Sequence, residues 1–283
     1  MVNVKMLMYW INERAAILAR REAGQPKPWT KDTILASYRF CNVRREDDTV
    51  TKWIAEHWMP PGNPDAWFAA AVARLVNWPA TLEALGVMLP WNPVQFKKRM
   101  AARAAAGEKV FSGAYIVSTN GRAMDKPVYL ADHVLTPLWK AREMVRPRWG
   151  DTLAEFHARL MQFDGMGSFM AAQVIADTKH VFADPLDDAP DWHSWAASGP
   201  GSRRGMNRLY GLDTDAPWRE SVWLNCMQTE LQPAINKMRN KSIPCLKEPL
   251  DAQNIQNCLC EFDKYMRTLN GEGRPRSTYP GRS

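Results

Sequence analysis

Long apolar runs are missing from the sequence. The strongest candidate, Ala66 to Val76, is interrupted by Arg74 and falls short of the roughly 18 consecutive apolar residues that a membrane-spanning helix needs. The N-terminus does not read as a secretory leader, because Asn12, Glu13 and Arg14 break the apolar stretch before a leader core forms. Cysteine is scarce and unpatterned. Cys41, Cys226, Cys245, Cys258 and Cys260 are odd in number, and only the last two are close together. A single C-x-C without a second pair is not a zinc site, and four tightly spaced cysteines for an iron–sulfur cluster are absent. Reduced, mostly buried thiols are the expectation. No segment fits the phosphate-binding loop G-x-x-x-x-G-K followed by Ser or Thr, so a kinase is not read here. Neither an internal repeat nor a low-complexity tract occurs. The chain reads as soluble and intracellular, with no membrane partner.

What is present is basic charge, tryptophan and helix punctuation. Against 30 Asp+Glu stand 37 Lys+Arg, giving +7 over 283 residues, a length that suits one large domain or two small ones. The excess lies in clusters: Lys97, Lys98, Arg99 and Arg103; Arg142, Arg146 and Arg148; Arg203, Arg204 and Arg208; Lys237, Arg239 and Lys241. Each is readable as a solvated helix face, but their recurrence favours a polyanionic partner such as nucleic acid. The 13 Trp mostly serve a core, leaving one or more for stacking on bases.

Helices are expected over almost the whole chain. Asn3 to Ala23 has helical apolar spacing and stops at Gly24, with Pro26 and Pro28 beyond it. Asn63-Pro64 and Asn92-Pro93 each place a capping side chain before a proline, opening helices that run to about Val76 and Ala106. Further helices are predicted over Thr30 to Tyr38, Asp47 to His57, Pro127 to Val145, Asp151 to Gln162, Ser168 to Thr178, Ser202 to Tyr210, Pro217 to Arg239 and Asp251 to Arg267. One small hairpin is expected at Asn120-Gly121, fed by Ala114 to Ser118. The fold class is therefore mostly α. Residues 1–270 read as one helical domain with room for two lobes, and 271–283 as a loosely ordered basic tail.

Chemistry concentrates between Asp151 and Gly205. Phe163-Asp164-Gly165-Met166-Gly167-Ser168 joins two predicted helices in the pattern of a helix-hairpin-helix. Gly165 and Gly167 permit a tight turn whose N–H groups, with Ser168, suit a DNA phosphate; an ordinary tight turn between helices fits equally. In hairpin-type DNA glycosylases a catalytic Asp follows at a distance that Asp187 matches, with Asp188 and Asp191 beside it, although this stretch also has the composition of a surface loop. A second loop, Gly199-Pro200-Gly201-Ser202-Arg203-Arg204-Gly205, combines a helix start with two guanidinium groups and suits phosphate or pyrophosphate. Arg39, Asn42 and Arg44 suit a phosphate or an amino-acid carboxylate, unless the arginines pair with Glu46, Asp47 or Asp48. Asn257, Glu261 and Lys264 share one helix face, for which an intrahelical ion pair and a supporting role are favoured.

Several of these segments together resemble one phage family. They are Pro28-Trp29-Thr30, Tyr38 to Asp48 (YRFCNVRREDD), the GMGSFMAAQ hairpin, the GPGSRRG loop and Leu259 to Tyr265 (LCEFDKY), and the likeness runs from about Trp10 to Arg276. The family is the helical domain attached to or encoded beside 5-hydroxymethyluracil DNA kinases. It is also described as α-glutamyl/putrescinyl thymine pyrophosphorylases or amino acid:DNA transferases, with a fold similar to DNA glycosylases. The resemblance implies thymidine hypermodification in double-stranded phage DNA within the host cytoplasm. There, an amino acid or polyamine replaces pyrophosphate on 5-pyrophosphoryloxymethyl-deoxyuridine, and a hydroxymethyluracil DNA kinase supplies the substrate. Under that reading Asp177, Asp187, Asp188 or Asp191 takes the amine proton. Gly199, Gly201, Ser202, Arg203 and Arg204, with Arg39, Asn42, Arg44, Glu261 and Lys264, form the substrate and pyrophosphate set. No cofactor is certain, with Mg²⁺ a candidate aid to pyrophosphate departure. Two alternatives stay open: a glycosylase excising a modified base, and a non-catalytic DNA-binding companion of the kinase.

Overall fold

Side-chain caps open five of the helices in the computed structural model, which describes residues 1, 3–60, 62–113, 118–182, 185–275 and 277–279. Asp32 accepts from the amides of Ile34 and Leu35, Asp48 from Val50 and Thr51, Asn92 from Gln95, and Asp251 from Asn254. Thr152 and Glu155 form a reciprocal capping box. In chain order the helices are α1 (Val4–Glu22), α2 (Thr33–Ser37), α3 (Thr49–His57), α4 (Ala66–Val76), α5 (Pro79–Leu85), α6 (Pro93–Ala105), α7 (Lys126–Tyr129) and α8 (Thr136–Lys140). There follow α9 (Arg142–Val145), α10 (Leu153–Leu160), α11 (Ser168–Asp177), α12 (Pro200–Tyr210), α13 (Glu220–Cys226), α14 (Gln232–Met238) and α15 (Ala252–Leu269). Among the described residues there is no sheet, only one antiparallel bridge between Tyr38 and Thr278. The hairpin expected from Ala114 onward falls largely outside the described residues.

The chain divides into two compact units, Met1–Asp47 with His193–Ser283, and Asp48–Trp192. In the first, α1 contributes Leu7, Trp10 and Ile11 to a core completed by Met206, Leu209, Trp223, Met227, Ile235, Ile255, Leu259 and Phe262. In the second, α4 is buried along its full length. A helix surrounded by protein on every side needs apolar residues all round, and Trp67 and Phe68 of α4 meet the rings of Phe156, Trp91 and Trp139 edge-on. Its one charge, Arg74, finds Asp177 of α11, with both side chains fully buried.

Two expected long helices are interrupted. Pro127 to Val145 contains a π-helical turn, Leu130–Leu135, and Pro217 to Arg239 contains another, Met227–Leu231. Each turn runs into a helix carrying proline near its start, Pro137 and Pro233. Proline has no N–H to donate, so the preceding carbonyls are rebonded with wider spacing. Helix α5, opened by Pro79 after Trp78, was not among the expected helices. Helix α12 begins at Pro200 instead of Ser202, which puts the expected anion loop largely inside a helix. The thiols also differ from expectation: only Cys258 is buried, Cys41 is exposed, and the other three are half-buried. Burial pushes the Cys245 and Cys260 thiols up to about 11, so both stay protonated at neutral pH. No described helix is long and apolar enough to cross a membrane.

Candidate functional site

Helix α15 is the spine of the first unit. Along one face, residues three or four apart hydrogen-bond the backbone of segment 39–45. Lys264 Nζ donates to the carbonyl of Arg39 (3.2 Å), and Glu261 accepts from the amide of Cys41 (2.9 Å). Asn257 Nδ2 donates to the carbonyl of Asn42 (3.1 Å), and Asn254 accepts from the amide of Arg45 (2.8 Å). Residues 39–44 have no regular structure and Arg45 opens a short 3-10 turn, so their backbone needs such partners. From α1, the buried Arg14 donates through Nε to the carbonyls of Phe40 (3.3 Å) and Cys41 (3.1 Å) and through Nη2 to Asn42 Oδ1. Burial lowers the pKa of Arg14, yet an arginine stays charged at any ordinary pH.

The expected substrate residues in this segment are thus engaged with the chain itself. Asn42 donates to the carbonyl of Asp47 (2.6 Å). Arg44 donates to the carbonyls of Glu248 (2.6 Å) and Pro249 (3.2 Å) and pairs with Glu46 at 3.3 Å, the pairing weighed above as the alternative to ligand binding. Arg39 is exposed, its guanidinium 5.6 Å above the ring of Tyr279. Lys264 pairs with Glu261 at 2.6 Å.

Helix α12 packs against α15 through glycine. A Cβ on Gly205 would lie 2.3 Å from the carbonyl oxygen of Leu259, and one on Gly201 would lie 2.4 Å from Cys260 Sγ. Close backbone approach, not loop flexibility, explains these two residues. Gly199 caps the helix, and Ser202 Oγ accepts from its amide at 2.9 Å. Arg203 donates to Ser198 Oγ (2.7 Å) and Glu220 (3.0 Å). Burial opposes ionisation of Glu220, but the bonds from Ser198 and Arg203 outweigh it and hold the carboxyl below its usual range. Arg204 donates to the buried Asp263 through Nε (2.9 Å) and, among the described residues, through no other nitrogen. Asp263 also holds Arg208 at 2.9 Å and Arg267 at 3.4 Å, while Arg208 reaches Glu272. Three guanidinium groups against two carboxylates leave this cluster cationic. The hydrogen bonds from Arg208 hold Glu272 down at about 2.

The expected hairpin and acids belong to the second unit. Gly165 turns the chain between α10 and α11 at φ +73°, and a Cβ there would lie 2.7 Å from Val134 Cγ2. Asp164 beside it accepts from Asn120 Nδ2 (2.6 Å) and Tyr129 (3.0 Å) and pairs with Arg122, contacts that outweigh desolvation and lower its pKa. Gly167 caps α11 with no side-chain bond to the first amides, and His157 Nε2 donates to the carbonyl of Ser168 at 2.9 Å. Asp187 and Asp188 are exposed. Asp191 accepts from the amides of Leu153 (2.7 Å) and Ala154 (3.1 Å), closing the start of α10. Asp177 bonds Arg74 Nη2 at 2.7 Å inside the core. No group of three or more His, Cys, Asp or Glu able to hold a metal occurs among the described residues.

Sequence reasoning missed Arg14, Arg74 and Asp263. The signal for the first two was readable: each is a charge at a core-facing helical position, between Ile11 and Ile17 in α1 and between Ala70 and Leu75 in α4. A buried charge of that kind requires partners elsewhere in the fold.

The family described as "5-hmdU DNA kinase, helical domain" matches residues 2–274. The 5-hmdU DNA kinase of Bacillus phage SP10 is 26% identical over 232 residues, covering 72% of this chain. This chain spans only 36% of that relative's length. No solved structure matches. With the match running through both units and all the motifs described above, the chain belongs to the helical-domain family of 5-hmdU DNA kinases.

Proposed function

We propose that the protein transfers an amino acid or polyamine onto 5-pyrophosphoryloxymethyl-deoxyuridine in phage DNA, with displacement of pyrophosphate. The family and its phage relative support action in a 5-hydroxymethyluracil pathway. The observation that carries the finer reading is the pair Arg203 and Arg204 near the start of α12. Both are partly exposed, each is fixed by one carboxylate, and Arg204 keeps two terminal nitrogens uncommitted. Preorganised donors of this kind stabilise charge that develops on a leaving group.

In this reaction the carbon–oxygen bond at the 5-methylene breaks and the electron pair leaves with pyrophosphate. The amine nitrogen forms the new carbon–nitrogen bond and loses a proton. Of the acids considered for that proton, Asp187 and Asp188 are exposed, whereas Asp177 is committed to Arg74 and Asp191 to α10. On the DNA side, Gly165, Gly167 and Ser168 are proposed to meet a backbone phosphate through the open amides of α11. The phage relative's kinase activity belongs to a much longer protein, and this sequence has no G-x-x-x-x-G-K loop. The test is incubation with DNA carrying the pyrophosphorylated base and a panel of amines, then digestion to nucleosides and mass measurement. An amine adduct supports transfer. Free base or abasic sites support a glycosylase instead, and tight DNA binding without product leaves a companion module.

A further inference from the structure

We propose that Arg14, Arg21, Lys27 and Arg39 form a phosphate-binding site in the first unit, mounted on the rings of Trp29 and Tyr279. The two rings meet edge-on, with centroids 6.0 Å apart. Arg21 lies 5.2 Å above Trp29, Lys27 lies 5.2 Å from Trp29 and 5.6 Å from Tyr279, and Arg39 lies 5.6 Å from Tyr279. An aromatic face attracts a cation without neutralising it. The rings therefore fix three exposed charges near one another while leaving their N–H groups free to donate.

Ordinary surface cations have acids nearby, and the adjacent Arg20 does pair with Glu13 at 3.0 Å. Arg21, Lys27 and Arg39 have no carboxylate partner among the described residues. Arg14 adds an independent observation. It is 3% exposed, bonds only neutral oxygens, and its Nη1 is buried with no acceptor. Its Nε and Nη2 hold the carbonyls of Phe40 and Cys41, the two residues that follow Arg39. The acid acting on it, Glu261, is already held by Lys264 and the Cys41 amide. A buried cation with one donor unused, beside the Arg39 segment, together with three uncompensated cations on the rings calls for an anion of more than one negative charge.

The platform itself is well anchored. The Tyr279 amide donates to the carbonyl of Ser37 at 3.0 Å, the Arg39 amide to Ser277 at 3.0 Å, and Trp29 Nε1 to Gln25 at 2.7 Å. Phosphate groups reach such a site either as free pyrophosphate or as a nucleic-acid backbone.

Calorimetric titration of the full chain with inorganic pyrophosphate, a single-stranded oligonucleotide and a duplex separates these sources. K27A/R39A should weaken binding on the order of tenfold or more. Y279A should weaken it too, although it removes no charge. The double variant K5A/K247A, with the same charge loss at exposed positions of the first unit outside the basic clusters, should bind like the wild type. An effect in the pyrophosphate arm assigns free pyrophosphate, and an effect confined to oligonucleotides assigns the backbone. Equal losses in both double variants, an unaffected Y279A, or no binding in any arm overturns the site. The site rests on the transfer reading only for its probes. Adduct formation with normal binding by K27A/R39A removes the site alone, and site-dependent binding without adduct removes transfer alone.

Discussion

Gly205 of α12 lies directly against the backbone of Leu259 in α15, so close that a methyl group would sit 2.3 Å from the Leu259 oxygen. A backbone carbonyl cannot swing aside as a side chain can, so Gly205→Ala must push two helices apart. The expected cost is about 1–3 kcal/mol of stability, the range for overpacking. Urea unfolding of the two proteins checks it. An unchanged midpoint would show that the helices part freely.

Arg74 and Asp177 are expected to act on stability. Removing either partner alone leaves a buried charge, at a cost of about 3–5 kcal/mol. Replacing both, as in R74M/D177L, should cost less than R74M alone. A double-mutant cycle in thermal unfolding measures this, and independent, additive effects would contradict the pairing.

Glu272 makes part of the stability pH-dependent. Its carboxyl is held at about 2 in the fold, from an ordinary value of 4.5, chiefly by hydrogen bonds from Arg208. A depressed carboxylate contributes stability fully above its unfolded value and loses it as pH falls toward the folded one. Stability should therefore decline from about pH 4.5 toward 2, and Glu272→Gln should flatten that decline. Parallel profiles for the two proteins would remove Arg208–Glu272 as a contributor.

The glycine turn offers one clean variant for DNA binding. Gly165 is strained by any side chain, whereas Gly167 has φ −61° and open space around a Cβ. Gly167→Val should fold normally yet weaken DNA affinity by obstructing the α11 amides, and wild-type binding should fall steeply with salt. Equal affinity at matched salt would take this turn off the DNA-contact surface.

How far the sequence reveals the structure depends on the range of the interaction. Caps act within three residues, and Asn92 opens α6 as expected, but Asn63 does not cap α4, which starts at Ala66, and α10 is capped by Thr152, not Asp151. Pro137 and Pro233 were visible too, but periodicity alone carried the predicted helices through them. The role of Gly201 and Gly205 was not legible, because glycine beside arginine fits an anion loop as well as a helix contact. Pairings such as Glu261 with the Cys41 amide join residues far apart in the chain, and nothing local specifies them. The family motifs of the first unit nevertheless converge: segment 39–45, α12 and the LCEFDKY stretch all meet on α15.

The most direct test of the proposed reaction counts both products. With DNA carrying the pyrophosphorylated base, each amine-modified nucleoside should appear with one released pyrophosphate. Arg204→Ala should slow both equally in a single turnover while leaving DNA affinity nearly unchanged, because its contribution grows as the leaving group gains charge. Pyrophosphate release without adduct, or adduct formation at the wild-type rate by Arg204→Ala, would contradict the account.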